Sequence, residues 1–213
     1  METALVEFAI AATLLIMAPG PDSMLVLRNS LRGGRRVGLS TAAGTVTGLL
    51  TWALAAALGI TTLLTASRVG YDVLRLVGGA YLVWLGVMTL RRPPSKLADA
   101  PAGPDMRFVG RGPTSLRRAY VNGVISNACN PKIGVFFVAF LPNVMPAGAP
   151  AREVSLVLGA WFALETGVWL AAVVWMADHA KAWLSRPRWQ RRLEQLTGLV
   201  LITFGARVAT EGR

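Results

Sequence analysis

A chain of 213 residues could form one ordinary soluble domain, but a composition 54% hydrophobic and only 15% charged lies far from the soluble mixture and makes a bilayer the better solvent. The net charge of +11 invites a nucleic-acid reading, which the clustering of the basic residues between apolar runs argues against. Cys129 is the only cysteine, which excludes an intrachain disulfide framework and a cysteine-based metal site; it reads as a small buried apolar residue, and no cofactor is implied.

Six apolar runs follow, and each is predicted as a membrane-spanning helix, because about 18 or more such residues cross the hydrocarbon core. Run 1, Thr3 to Leu27, has acidic Glu2 and Glu7 near its start, where a secretory signal would be basic, so it is expected to remain in the protein. It contains Ala18-Pro19-Gly20-Pro21-Asp22 and leads into Arg28, Arg32, Arg35 and Arg36. Run 2 extends from Val37 to Leu64 and run 3 from Val73 to Leu90. Their glycines, Gly44, Gly48, Gly78, Gly79 and Gly86, read as positions where helix backbones approach closely. A polar linker rich in Pro, Gly and Arg occupies 91–117. Run 4, Ala119 to Met145, contains Asn127-Ala128-Cys129-Asn130-Pro131-Lys132. Run 5, Val154 to Ala177, carries Glu165 near its middle and ends at Asp178, His179 and Lys181; no second His or Cys accompanies His179, so no metal role is expected. Run 6, Leu196 to Ala209, is short and ends near Arg207; a full span is expected there, with a re-entrant segment as the alternative.

Of the 22 cationic residues, those after runs 1, 3 and 5 form three clusters, whereas the connections after runs 2 and 4 offer only Arg68 and Arg152. That is the positive-inside pattern. It predicts a membrane protein with the three Arg-rich loops cytoplasmic and both termini outside, its basic loops against anionic lipid headgroups. The linker divides the chain into residues 1–90 and 118–213, each with three spans. Three is odd, so a shared fold requires the second half to be inserted upside down, the inverted-repeat arrangement of many secondary transporters. The expected fold is therefore all-α: six transmembrane helices as two inverted three-helix repeats, the first helix of each repeat broken.

The breaks carry the chemistry. Proline inside a helix removes a hydrogen bond and clashes with the preceding turn, and at membrane depth such a break persists only where it is buried in protein or lines a polar cavity. Gly20-Pro21 and Asn130-Pro131 both fit a helix restart, with Pro at the first position. Asp22 and Lys132 then share the second position of their half-helices with opposite charges. Asp22 suits the positive end of the helix dipole; Lys132 opposes it and needs another reason to be there.

At these segments the sequence resembles the LysE/RhtB family of bacterial amino-acid exporters, in particular its homoserine/threonine-exporter-like branch. The resemblance rests on Pro19-Gly20-Pro21-Asp22 with Met24 to Arg28, on Gly33 to Leu39, on Gly79 to Gly86, and on Asn127 to Phe140. It implies a cytoplasmic-membrane exporter of amino acids or close derivatives, commonly a proton antiporter, and no enzyme activity. Glu165 departs from the family pattern, where an apolar or small residue is expected.

The expected substrate site is Pro19, Gly20, Pro21, Asp22, Asn127, Asn130, Pro131 and Lys132, with Asp22 and Lys132 binding the two charged ends of a zwitterion. The plainer reading pairs the two charges with each other to make burial tolerable, and lets Asn130 serve only as a helix cap. Glu165 and Asp22 are the candidates for ion coupling, with H+ as the expected ion; selection of a cationic cargo and a hydrogen bond to a neighbouring helix are the rival readings of Glu165. A small intramembrane channel or a structural membrane subunit is the alternative to a transporter, and the sequence leaves open a homo-oligomer.

Overall fold

A computed structural model describes residues 2–17, 20–66, 68–91, 115–145, 149–179 and 187–210. Among these residues every regular element is helical. In chain order they are α1 (Glu2–Met17), α2 (Pro21–Ala66), α3 (Arg68–Arg91), α4 (Leu116–Ala128), α5 (Pro131–Val135), α6 (Ala151–His179) and α7 (Pro187–Thr210). From α5 the chain continues through a π-helical turn, Phe136–Phe140, and a 3-10 turn, Leu141–Val144. By length and composition Ala151–Ala177 and an apolar stretch within Pro21–Gly59 are able to cross a membrane, and shorter apolar stretches lie at Phe8–Met17, Leu76–Met88 and Gly198–Arg207. Val157, Trp161, Leu164, Val168 and Trp175 line one exposed face of α6, a surface suited to lipid rather than water. The fold is compatible with a helical integral membrane protein.

α2 is two helices joined at Gly34, whose non-helical φ 76° and ψ 179° reverse the direction of the chain. Asn29 Nδ2 donates to Thr41 Oγ1 at 2.9 Å, yet 12 residues of straight helix would separate such groups by about 18 Å. The arms 21–33 and 35–66 therefore fold back on each other, with exposed Arg32, Arg35 and Arg36 at the tip. A positive φ of this kind is adopted cheaply only by glycine. Val26 and Leu27 of the first arm meet Ala42 of the second and Leu170, Val173, Val174 and Ala177 of α6 in one apolar cluster.

Three contact series fix helix directions. From Ser40 against Leu116, through Gly44 against Tyr120, to Trp52 against Asn127, the second arm of α2 runs parallel to α4. Gly159 against Ala53, Gly167 against Val46 and Val174 against Gly38 set α6 antiparallel to that arm. Gly79 facing Gly205 and Gly86 facing Gly198 set α3 antiparallel to α7. Gly44 and Gly123 pack directly onto the carbonyls of Tyr120 and Thr41, so no side chain intervenes between the second arm and α4. The main core gathers Phe8, Leu15, Leu49, Phe136, Phe137, Phe140 and Phe162, with the Phe136 and Phe162 rings stacked at 4.6 Å.

Some boundaries follow expectation and others differ. Runs 1 and 4 each divide into two helices at their Pro motifs, as the motifs required. Run 6 is part of a 24-residue helix that starts at Pro187, because Arg188, Arg191 and Arg192 extend it as a polar turn that apolar content does not signal. The linker ends at Ser115, whose hydroxyl caps α4 by accepting from Arg118 N at 3.3 Å. Cys129, the residue that caps the C-terminus of α4, is exposed, not buried. Pro19, residues 92–114, and Lys181 to Arg186 lie outside the described residues.

Candidate functional site

Each break leaves backbone groups without helical partners, and each is completed largely by the other half of the chain. α2 restarts at Pro21, with Met24 N donating to Gly20 O at 3.1 Å. The second break restarts at Pro131, where the Asn130 side chain caps α5 by accepting from Lys132 N at 3.1 Å. Asp22 and Lys132 thus stand at the second position of their helices, and both are buried.

The Asp22 carboxylate accepts three side-chain bonds, all from the second break. Ser126 Oγ donates to Oδ1 at 2.7 Å, while Asn127 Nδ2 and Asn130 Nδ2 donate to Oδ2 at 2.9 and 2.8 Å. Bonds to an ionised acceptor are stronger than neutral ones, which makes the charge tolerable at this depth. In return, Lys132 Nζ donates to Leu15 O at 2.9 Å, a carbonyl in the last turn of α1 that the break has released. A cation at a helix C-terminus meets the negative end of the dipole. Lys132 therefore opposes the dipole of its own short helix but completes that of α1. The Asn127 carbonyl, in the last turn of α4, accepts from Asn130 N at 2.9 Å and from Trp52 Nε1 at 3.3 Å.

These groups wall a cavity shared by both breaks and α6. Gly20, Asp22, Ser23, Asn127, Asn130 and Lys132 give it polar groups, and Phe162, Thr166, Trp169 and Leu170 contribute one stripe of α6. Its free space is about 20 Å³, room for about one water, so a larger occupant requires the walls to part.

Of the expected site residues, Gly20, Asp22, Asn127, Asn130 and Lys132 come together at this cavity. Pro21 and Pro131 set the helix starts with their rings exposed. Pro19 lies outside the described residues. Glu165 does not line the cavity: its Oε1 accepts from Trp161 Nε1 at 2.6 Å one turn away on α6, and its Oε2 has no partner among the described residues. Ser126, Thr166 and Trp169 are site residues that sequence reasoning passed over. Ser126 stands immediately before the quoted Asn motif. Thr166 and Trp169 share a helix face with Phe162 and Leu170, a 3.6-residue periodicity that was legible once α6 was known to cover the breaks.

A family model described as LysE type translocator matches residues 13–212. The homoserine/homoserine lactone efflux protein of Salmonella typhimurium is 26% identical over 203 residues, covering 95% of this chain and 94% of that protein. The threonine efflux protein of Salmonella typhi is 25% identical over 192 residues, 89% of each chain. The leucine efflux protein of Klebsiella pneumoniae is 26% identical over 211 residues, 95% of this chain and 93% of that protein. No solved structure matches the chain.

Proposed function

The chain belongs to the LysE-type translocator family, a family of membrane transporters and not of enzymes, and from that premise we propose that it exports small amino acids or close derivatives across the bacterial cytoplasmic membrane by proton antiport. The efflux names of its relatives support an amino-acid cargo. The observation that carries the reading further is that Asp22 and Lys132, at equal positions of the two broken helices, wall one cavity.

A zwitterion offers an ammonium to Asp22 and a carboxylate to Lys132. Each end would compete with a bond that now ties one half of the chain to the other: the amide and hydroxyl donors of the second break on Asp22, and the Leu15 carbonyl on Lys132. Cargo would replace these cross-links with its own, which releases one half to move against the other, as alternating access requires. The closeness of the present cavity fits a site that opens only by such a movement. Glu165, with one buried carboxylate oxygen unpartnered among the described residues and one residue before Thr166 of the cavity wall, is the residue through which we route the counter-moving proton.

The helix directions support six alternating spans. Under that scheme spans 2 and 4 run parallel, whereas spans 2 and 5, and spans 3 and 6, run antiparallel, as the three contact series do. An in-plane two-fold exchanges the halves and maps the last two pairs onto themselves. Gly79 and Gly86 then correspond to Gly198 and Gly205, with the same spacing and reciprocal contacts. Arg-rich loops on the cytoplasmic side and termini outside complete the proposal.

Purified protein in liposomes preloaded with one amino acid should accumulate that amino acid in labelled form by counterflow. A pore or a scaffold shows no counterflow, and its absence for every amino acid tested would rule out the exporter.

A further inference from the structure

Three of the residues that wall the cavity each hold one buried polar atom without a hydrogen-bond partner among the described residues: Asn127 Oδ1, Thr166 Oγ1 and Trp169 Nε1. Buried polar groups are nearly always paired, and in hydrocarbon no bulk water is at hand to pair them. The hydrogen-bonding sense of each is set. An indole N–H only donates. Asn127 commits its amide nitrogen to the acceptor-only Asp22 carboxylate, so its free oxygen can only accept. The Thr166 hydroxyl does either.

Thr166 and Trp169 are three residues apart on α6 and share a face. Phe162 and Leu170 flank them along the same stripe. Thr166 and Trp169 thus bring one adaptable group and one donor to an apolar stripe of α6, and Asn127, beside Asp22, brings one acceptor to the same cavity. A hydroxyl satisfies this set, because a hydroxyl gives one proton and accepts through two lone pairs. An aliphatic side chain of the same shape leaves all three atoms unpaired.

We propose that Asn127, Thr166 and Trp169 form a side-chain subsite that reads a hydroxyl on the cargo, so that this protein selects small hydroxyl-bearing amino acids over their apolar isosteres. The proposal rests on the exporter reading above and extends it from the charged ends of the cargo to its side chain. Asp22 and Lys132 hold what all amino acids share, and Asn127 with the α6 pair discriminates.

The test pairs isosteres in proteoliposome counterflow: homoserine against norvaline, and threonine against valine. The wild-type protein should favour the hydroxyl member of each pair by at least about tenfold, because the analogue leaves buried polar groups unpaired. Trp169→Phe and Thr166→Val should each bring that ratio several-fold closer to one, and Thr166→Ser should keep it. The ratio is read within each variant, so a partly impaired protein still reports. Equal exchange of norvaline and homoserine by the wild-type protein, or a preference that survives both substitutions, overturns the subsite, the three atoms then being served by water alone. If no amino acid exchanges at all, the exporter reading fails and the subsite falls with it; if apolar amino acids exchange freely without a hydroxyl preference, only the subsite falls.

Discussion

Asp22 receives three donors on two oxygens, and this makes it the least replaceable polar residue of the cavity. Asn in its place has one acceptor oxygen and an amide that points two further protons at Ser126, Asn127 and Asn130. At least one buried donor is orphaned, at about 1–3 kcal/mol, so Asp22→Asn should lower the unfolding temperature of the detergent-solubilised protein as well as impair export. An unchanged melting curve would show that the network contributes nothing to stability. Lys132→Met should abolish export while the protein still inserts, because the substitution removes the cation facing the cavity and leaves the Leu15 carbonyl unpaired; near-normal export from a correctly inserted variant would eliminate Lys132 as a cargo residue. Glu165→Gln keeps the bond from Trp161 and removes the ionisable oxygen. If Glu165 carries the exchanged proton, wild-type export accelerates as external pH falls and the variant's does not. A variant that retains the full pH response excludes this carboxylate as the coupling group. Asp22, Asn127, Asn130 and Lys132 were legible in the sequence because Pro motifs announce broken helices, and broken helices in a membrane need polar company. Thr166 and Trp169 were not, since Thr and Trp at mid-span look the same whether they face lipid, core or cavity.

Among the elements, the glycines separate close approach from mere tolerance. A methyl group on Gly44 or Gly123 would run into the carbonyl of Tyr120 or Thr41, backbone atoms that cannot turn aside. Gly44→Ala and Gly123→Ala should therefore force the second arm of α2 away from α4, at about 1–3 kcal/mol each as overpacking costs go. Gly59→Ala is the control on the same arm: nothing lies within 4 Å of the added carbon, and reduced freedom of the unfolded chain should stabilise by about 0.4–1 kcal/mol. Melting temperatures of the three variants in one detergent check the ordering, and a Gly44→Ala protein as stable as Gly59→Ala would refute the close packing. Periodicity and run length were enough to place the helices, and Pro-Asp and Asn-Pro-Lys located their breaks. The reversal at Gly34 was signalled only indirectly, by the Arg cluster between runs 1 and 2. The π-helical turn at Phe136–Phe140 left no mark in composition, because a wider turn uses the same apolar residues as an ordinary one.

For the whole molecule, the helix directions and the charge distribution are independent observations that both fit the proposed alternation of spans. If α4 and the second arm of α2 belong to spans, as proposed, their parallel course starts both from one side of the membrane. The chain enters that arm at the Arg32–Arg36 tip and enters α4 after the Arg-rich linker, so the proposal puts two of the basic clusters on one side. Arginine bias makes that side cytoplasmic in the proposed topology. Single cysteines can read this directly once exposed Cys129 is replaced by Ser. Cysteines at Val69 and Arg152, both exposed, should react in intact cells with a membrane-impermeant thiol reagent. Cysteines at Arg36 and Ser115, also exposed, should react only after the membrane is permeabilised. The mirror-image pattern would keep the alternating spans and reverse their orientation, turning the basic loops outward against the charge rule. Labelling of all four sites from one side would refute the proposed alternation, and with it the proposed inverted relation of the two halves.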